Sequence, residues 1–291
     1  MSPAKEPPAK EPVENVTAGA PEREVAPRSD ADFWAKGITR LDVRDAPEGA
    51  INLNVSGKRV TSPIQGFGQL WQKTYRVNLG TKVEPVDLMK IWRERFSDFW
   101  PQGNRFYGPL TGIAPGEVAL LNLALPGRMK LSTGVLVLYA DEESFTFMTP
   151  EGHGFAAFIT FSAAKEGDDT IAQVQALLRA GDPIYELGML MRIQQRMEDR
   201  FWEQTLRALA ANFGVEAAVE MLAVCVDRRR QWRNAKNVWH NAAVRSAFYV
   251  MGSPIRLASK SLRSRTASPR LPEGNEPQRE LKTSEHKQEQ I

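Results

Sequence analysis

The chain has little of what disulfide-bonded, metal-binding or membrane-spanning proteins require. Only one of its 291 residues is a cysteine, which excludes an internal disulfide and leaves no Cys/His set with the spacing of a zinc site. No apolar segment follows the first methionine, so we expect no export signal. No run reaches the roughly 18 apolar residues that cross a bilayer as a helix. The sequence therefore predicts a soluble, cytoplasmic protein without a bound metal or cofactor.

Aromatic residues are missing from the first part of the chain, where none precedes Phe33 and prolines, lysines and glutamates are frequent. Such a composition cannot bury enough apolar surface to offset the entropy of ordering the chain. Residues 266–291 have the same character. We therefore predict disordered tails at 1–30 and 266–291, a lead-in segment at 31–68, one core domain at 69–214 and an extension at 215–265.

Acidic residues are missing from residues 228–272, although eleven lysines and arginines lie there. Tryptophans are interleaved with these charges, as in an amphipathic helix on an anionic membrane. We therefore interpret residues 215–265 as a basic helical extension. The candidate membrane-surface residues are Arg228, Arg229, Arg230, Trp232, Arg233, Lys236 and Trp239. Nucleic acid, or docking of the same segment on the core domain, stays open as an alternative.

In the core domain, the spacing of apolar residues changes from that of a strand to that of a helix and back. Tyr75, Val77 and Leu79 alternate with polar residues as in a half-buried strand, and residues 85–99 carry an apolar helical face. Several short apolar segments separated by turns then fill residues 105–180, and a long apolar stripe predicts a helix over about 184–213. This order predicts an α+β fold in which a curved antiparallel sheet of about seven strands wraps around the last helix.

Two segments carry a family resemblance: "FTFMTPEGHGFAAFITF" as a late hairpin, and "ALLRAGDPIYELGMLMRIQQRMEDRFWEQTLRALAANFG" as last strand, link and helix. With the order of elements, they resemble the START-like (SRPBCC, helix-grip) superfamily, and within it the uncharacterised bacterial branch called DUF1990-like. The resemblance covers about residues 69–214. It implies a deep cavity between the sheet and the last helix, which family members use for lipids, sterols, polyketides or other apolar molecules, as carriers or as enzymes.

The resemblance also turns the apolar pattern into a candidate ligand-binding wall. Methionines on the last helix suit such a wall because their side chains adapt to ligands of different shape. The pattern does not distinguish whether the odd-numbered or the even-numbered residues of each strand face inward. The candidate wall residues are Tyr75, Leu121, Leu123, Leu136, Leu138, Phe147, Phe155, Phe158, Met189, Ile193, Met197 and Phe201.

Two single residues have candidate chemistry. His153 lies between two glycines at an apparent hairpin, so we interpret it as a turn residue, with contact to a polar ligand group at the cavity mouth as the alternative. Cys225 lies in an apolar run that we interpret as helical, which predicts a buried, inert thiol.

The sequence thus predicts a domain that binds or carries an apolar or amphipathic small molecule, with an extension that can meet a membrane. A cyclase or hydrolase using His153 or a carboxylate in the same cavity is the first alternative. A scaffold or nucleic-acid-associated protein that acts through the basic extension is the second.

Overall fold

The computed structural model describes residues 30–43, 46–109, 111–125 and 130–251. The predicted tails at 1–30 and 266–291 lie outside these ranges apart from Asp30, as does the last part of the predicted extension. All statements below concern the described residues.

One antiparallel sheet dominates the fold. Its strands run in the order β3-β4-β5-β6-β7-β8-β2-β9, and a short β1 pairs with β6. The strands are β1 (Val60–Thr61), β2 (Leu70–Asn78), β3 (Arg105–Tyr107), β4 (Val118–Ala124), β5 (Lys130–Ala140), β6 (Ser144–Pro150), β7 (Phe155–Glu166), β8 (Asp169–Ala180) and β9 (Val219–Asp227).

Four α-helices and several short 3₁₀ helices complete the described chain. The α-helices are α1 (Pro85–Glu94), α2 (Pro183–Leu190), α3 (Ile193–Asn212) and α4 (Ala242–Met251), and the 3₁₀ helices span Asp30–Phe33, Pro63–Gln65, Phe96–Phe99 and Trp232–His240. Proline occupies the first turn of α1 and α2, where its missing N–H has no helical partner to lose.

The long helix predicted over about 184–213 is divided into α2 and α3. Asp182 caps α2 by accepting hydrogen bonds from the backbone N–H groups of Ile184 and Tyr185. The break falls at Arg192, which has a left-handed backbone with φ of 59°. Residue types with a side chain adopt this region rarely. The break turns the chain from α2, which contacts β8, into α3.

Helix α3 lies across that face and buries Trp202, Leu206 and Leu209 against the strands. Helix α1 packs against β7 and β8 and contributes Leu88 and Trp92 to the same core. A curved antiparallel sheet that holds a long helix after its last core strand is the helix-grip arrangement. The predicted α+β helix-grip fold is therefore confirmed.

The lead-in segment covers part of the opposite face of the sheet. Leu41 and Val55 from this segment form a buried cluster with Leu120 of β4 and Leu136 of β5. This explains why β4 and β5 are apolar on both faces: one face turns towards α3 and the other is covered by residues of the lead-in.

The predicted helix around Cys225 is wrong, because this segment forms β9 on the free edge of β2. Cys225 is partly exposed rather than buried. A short apolar run fits a strand as well as a helix, and the unpaired edge of β2 supplies the partner that decides between them. Met221 and Leu222 on β9 remain exposed.

A buried ionic cluster joins α3 to the sheet. The Lys73 ammonium on β2 donates to a Glu198 carboxylate oxygen at 2.9 Å and to an Asp199 carboxylate oxygen at 2.8 Å. The hydroxyl group of Tyr75 donates to the same Asp199 oxygen at 2.7 Å. Burial alone would lower the pKa of Lys73, but the two carboxylates outweigh burial and raise it. Lys73 therefore stays charged and holds α3 in place.

We expect Lys73→Met to lower the free energy of unfolding by about 3–5 kcal/mol, because removing one partner leaves buried charge uncompensated. Urea unfolding followed by tryptophan fluorescence measures this change. The control is Lys82→Met at an exposed lysine, which should change stability by less than about 0.5 kcal/mol. Equal stability of both variants would contradict the role given to the cluster.

Candidate functional site

A cavity of ≈ 420 Å³ lies between the concave face of the sheet and α3. Strands β4 to β7 form one wall, α3 forms the other, and the loop after Trp100 closes one end. Arg200 and Gln204 line the cavity and are also exposed, so it opens to solvent beside α3. A volume of several hundred Å³ is the usual size of a site for a small organic molecule.

Half of the candidate wall residues line this cavity, and they come from both walls. The candidates on the strands occupy positions whose side chains point towards α3. The two candidates on α3 are one turn apart, so they lie on the same face of the helix. The six are Leu121, Leu123, Phe147, Phe155, Met197 and Phe201.

Three other candidates are corrected, because they do not line the cavity. Leu136 packs in the outer cluster beneath the lead-in segment, and the carbonyl oxygen of Leu138 accepts a hydrogen bond from Ala35 of that segment. Phe158 pairs with Met148, which packs against the same outer cluster. Paired residues share a face of the sheet, so Phe158 also points outward.

The remaining three candidates lie inside or beside the domain but not at the cavity. Tyr75 is fully buried in the main core, where its hydroxyl group donates a hydrogen bond to Asp199. Met189 is buried with Tyr185 in a smaller cluster under α2. Ile193, at the start of α3, is 48% exposed.

The rest of the space under the sheet is filled by aromatic rings. Phe96 makes ring contacts with Trp100, Phe106 and Phe147 at centroid distances of 4.9–5.8 Å, as well as with Phe161 at 5.1 Å. Trp100 and Phe106 belong to the cavity wall as well. Neither residue is predicted from the sequence, because a single Trp and a three-residue strand show no periodicity.

His153 lies in the turn between β6 and β7, as expected from its flanking glycines, but its side chain is buried at the cavity rather than solvated. It is only 8% exposed and lines the cavity, and burial lowers its pKa to about 4. Its Nδ1 atom lies 3.1 Å from both the backbone N and the backbone O of Phe155. Because Phe155 occupies Nδ1, the Nε2 atom is the ring nitrogen left for a cavity ligand.

The hairpin that carries His153 is fixed by its neighbours. Gly152 has φ of 90°, and a Cβ there would stand 2.0 Å from the backbone carbonyl oxygen of His240. Only glycine combines this backbone with so close an approach. The C-terminal extension therefore packs directly on the turn that places His153.

Two polar groups of α3 face the cavity and were missed by the sequence analysis. Gln194 and Glu198 line it one turn apart. Burial raises the pKa of Glu198, and the ammonium group of Lys73 opposes that rise. In the sequence, both residues belong to a strongly polar stretch that is typical of a solvated helix face. The ion pair with Lys73 on β2 offsets the cost of removing the Glu198 carboxylate from water.

The basic extension docks on the core domain and exposes part of its side chains. Arg230 donates to a Glu186 carboxylate oxygen at 2.8 Å, and the ring of Trp232 stacks edge-on against Phe67 at 5.3 Å. Trp232 and Trp239 are nevertheless 75% and 82% exposed. The other candidates of this surface, all exposed, are Arg228, Arg229, Arg233 and Lys236.

We expect His153 to make the protein less stable in acid. The pKa is about 6.5 in the unfolded chain and about 4 in the folded one, so below about pH 6.5 the unfolded state takes up a proton that the folded state does not. Stability is then lost as the pH falls, by about 3 kcal/mol at pH 4.

Unfolding in urea between pH 7 and pH 4 measures this loss. His153→Asn, whose side-chain oxygen can take the place of Nδ1, should remove most of the loss. His240→Asn, at a partly exposed histidine outside the cavity wall, should keep it. The same pH dependence in wild type and His153→Asn would contradict the assignment.

No protein-family model and no curated protein matches this sequence. Solved structures with a similar arrangement each cover about half of the chain. Protein Ms6760 from Mycobacterium smegmatis is 12% identical, with a TM-score of 0.37 over 53% of this chain and 96% of its own. A START superfamily protein from the same organism is 18% identical, with a TM-score of 0.35 over 50% and 98%.

A third similar structure is the di-domain ARO/CYC StfQ from the steffimycin biosynthetic pathway. It is 8% identical, with a TM-score of 0.39 over 50% of this chain and 53% of its own. At these levels of similarity, the fold assignment rests on the strand order and on the position of α3. The finer assignment to the DUF1990-like branch stays a prediction.

Proposed function

We propose that the protein binds an apolar or amphipathic small molecule in the cavity under α3, as a binding or carrier protein without covalent chemistry. The observation that carries the proposal is the cavity of ≈ 420 Å³, whose walls are mainly aliphatic and aromatic side chains with few polar groups. Burying apolar ligand surface contributes about 25 cal/mol per Å². The polar groups then orient the ligand.

Phe201 is the wall residue on which the proposal is tested. It lines the cavity and contacts Trp100 and Trp202 at centroid distances of 4.9 and 4.8 Å. We expect Phe201→Asp to abolish binding of the fluorescent probe 1-methylpyrene, because an ionised carboxylate in an apolar wall is costly to desolvate. Phe201→Leu should retain binding.

Titration of probe fluorescence measures affinity, and native mass spectrometry of the freshly purified protein detects any ligand that is retained from the cell. Phe248→Asp is the control, at an exposed position of α4, and should bind like wild type. Circular dichroism shows whether each variant is folded. Equal probe binding by a folded Phe201→Asp variant and wild type would contradict the proposal.

An enzyme of the cyclase or hydrolase type is a second candidate. It is favoured by His153 and Glu198, two titratable groups that line the cavity. The two candidates differ in what happens to a molecule extracted from the protein: a carried ligand is recovered unchanged after incubation, whereas a substrate is converted. Loss of conversion in both His153→Asn and Glu198→Gln would then assign the chemistry to these groups.

We also propose that the docked extension and α2 bring the domain to an anionic membrane surface. Trp239, Arg233 and Lys236 are exposed on the 3₁₀ helix Trp232–His240, which packs against α2. Large apolar side chains on and after α2 extend this exposed surface: Ile184, Leu187, Leu190, Met191 and Ile193. None of the described helices is long and apolar enough to cross a bilayer.

Both parts of this surface suit the boundary between water and lipid. Tryptophan favours the headgroup region, and each basic residue near an anionic surface contributes about 1 kcal/mol. Ile193 lies one turn before Met197, a cavity-wall residue on α3. A membrane that contacts α2 and the start of α3 would therefore lie beside the wall of the cavity.

We expect the protein to sediment with vesicles of phosphatidylcholine mixed with phosphatidylglycerol, and to bind vesicles of phosphatidylcholine alone more weakly. Arg233→Glu combined with Lys236→Glu should lower the affinity for the anionic vesicles about tenfold or more. The control is Arg105→Glu combined with Lys82→Glu, two exposed residues outside this surface. Equal binding by both double variants would contradict membrane docking, and salt-sensitive binding to duplex DNA instead would favour the nucleic-acid alternative.

A further inference from the structure

We propose that the cavity selects a neutral molecule whose apolar body carries a hydroxyl group, and that Glu198 accepts the hydrogen bond of that hydroxyl. This inference rests on the proposed function, since it requires that the cavity binds a small molecule. It adds the chemical class of the ligand and the residue that recognises it.

Glu198 has one carboxylate oxygen committed and one available. Oε2 accepts from the ammonium group of Lys73 at 2.9 Å, whereas Oε1 has no hydrogen-bond partner within the described part of the chain. The side chain is only 9% exposed and lines the cavity. A carboxylate oxygen that lines the cavity without a protein partner can accept a hydrogen bond from a donor on a ligand.

Lys73 fixes the position of this acceptor. Its ammonium group is shared between Glu198 and Asp199, and Asp199 is held in turn by the hydroxyl group of Tyr75. The carboxylate of Glu198 is therefore oriented before a ligand arrives. A group held in this way loses little side-chain freedom on binding, which favours affinity and selectivity.

His153 and Gln194 lie at the same end of the cavity as Glu198. Gln194 is one turn before Glu198 on α3, and a Cβ on Gly154 would stand 2.8 Å from the Gln194 amide nitrogen. Gly154, which follows His153, is therefore close to Gln194, the neighbour of Glu198 on the same face of α3. Gln102, Asn104, Arg200 and Gln204 also line the cavity, but Glu198 is the only carboxylate among the described lining residues.

The same geometry disfavours charged ligands. Next to Glu198, a carboxylate on the ligand would be repelled by the carboxylate of Glu198, while the Lys73 ammonium is engaged by Glu198 and Asp199. Arg200 also lines the cavity, but it is exposed, so water and salt screen its attraction for an anion. A cationic amine would be attracted by Glu198, but removing its full charge from water into an apolar cavity costs several kcal/mol. A hydroxyl group donates the same hydrogen bond at a much lower desolvation cost.

Matched pyrene probes test this selectivity on the full chain. 1-Pyrenemethanol carries the hydroxyl, 1-methylpyrene lacks it, and 1-pyrenecarboxylic acid and 1-pyrenemethylamine carry opposite charges on the same ring system. We expect 1-pyrenemethanol to bind about tenfold or more tightly than 1-methylpyrene, the difference made by one hydrogen bond to a charged acceptor. Both charged probes should bind more weakly than 1-pyrenemethanol.

Variants of Glu198 assign the preference to this residue. In Glu198→Leu, the ratio of the affinities for 1-pyrenemethanol and 1-methylpyrene should fall to about one, whether or not the loss of the ion pair with Lys73 lowers both affinities. Glu198→Gln keeps an acceptor oxygen and should retain a smaller preference, about threefold, as a neutral acceptor does. It also provides the test if the leucine variant does not fold. Glu203→Leu is the control, on α3 but outside the cavity wall, where Glu203 pairs with Arg207.

The outcomes separate this inference from the proposed function. If none of the probes binds, the cavity is not a site for such molecules and the proposed function fails. If 1-methylpyrene binds and 1-pyrenemethanol binds no better, or if a charged probe binds best, the proposed function stands and this inference is overturned. A preference that survives unchanged in Glu198→Gln and Glu198→Leu overturns it as well.

Discussion

The buried ammonium group of Lys73 is the constraint on which the rest of the domain depends. A cation in the interior requires carboxylates within hydrogen-bond distance, and in the described part of the chain Glu198 and Asp199 on α3 meet that requirement. Their contacts with β2 determine how α3 is placed over the sheet. That placement in turn decides which side chains of α3 enter the cavity and which stay in water. One ionic cluster thus links the stability of the fold to the geometry of the site.

The space between α3 and the sheet is divided rather than uniformly open or filled. Helix α1 and the aromatic rings around Phe96 occupy one part, with Phe145 and Phe161 stacked at 4.6 Å. The remainder is the cavity, which Phe201 and Phe147 border on opposite walls. Well-packed aromatic rings make a rigid floor, because interdigitated side chains have few alternative arrangements. The polar residues at the other end then face a space of defined shape.

The C-terminal extension contributes to the site as well as to the surface. Its backbone contacts the turn at Gly152, and the amide group of Asn241 donates to Asp182 at 2.8 Å, the residue that caps α2. The extension therefore supports both the hairpin of His153 and the start of α2. At the same time, it leaves Trp232 and Trp239 in water. Two large aromatic side chains exposed on a segment that is held in place by hydrogen bonds are suited to burial against a partner.

The residue pattern alone predicts the class of the fold and part of the site. Helical and strand periodicities predicted α1, β2 and α3, because each element buries one face, and half of the predicted wall lies at the cavity. Tertiary structure decided the rest. Leu136 and Phe158 face outward because the lead-in segment and its neighbours cover that side, which no strand pattern reveals when both faces are apolar. Likewise, Glu198 belongs to a polar stretch of sequence, and only its pairing with Lys73, 125 residues away, turns it into a buried acceptor at the cavity.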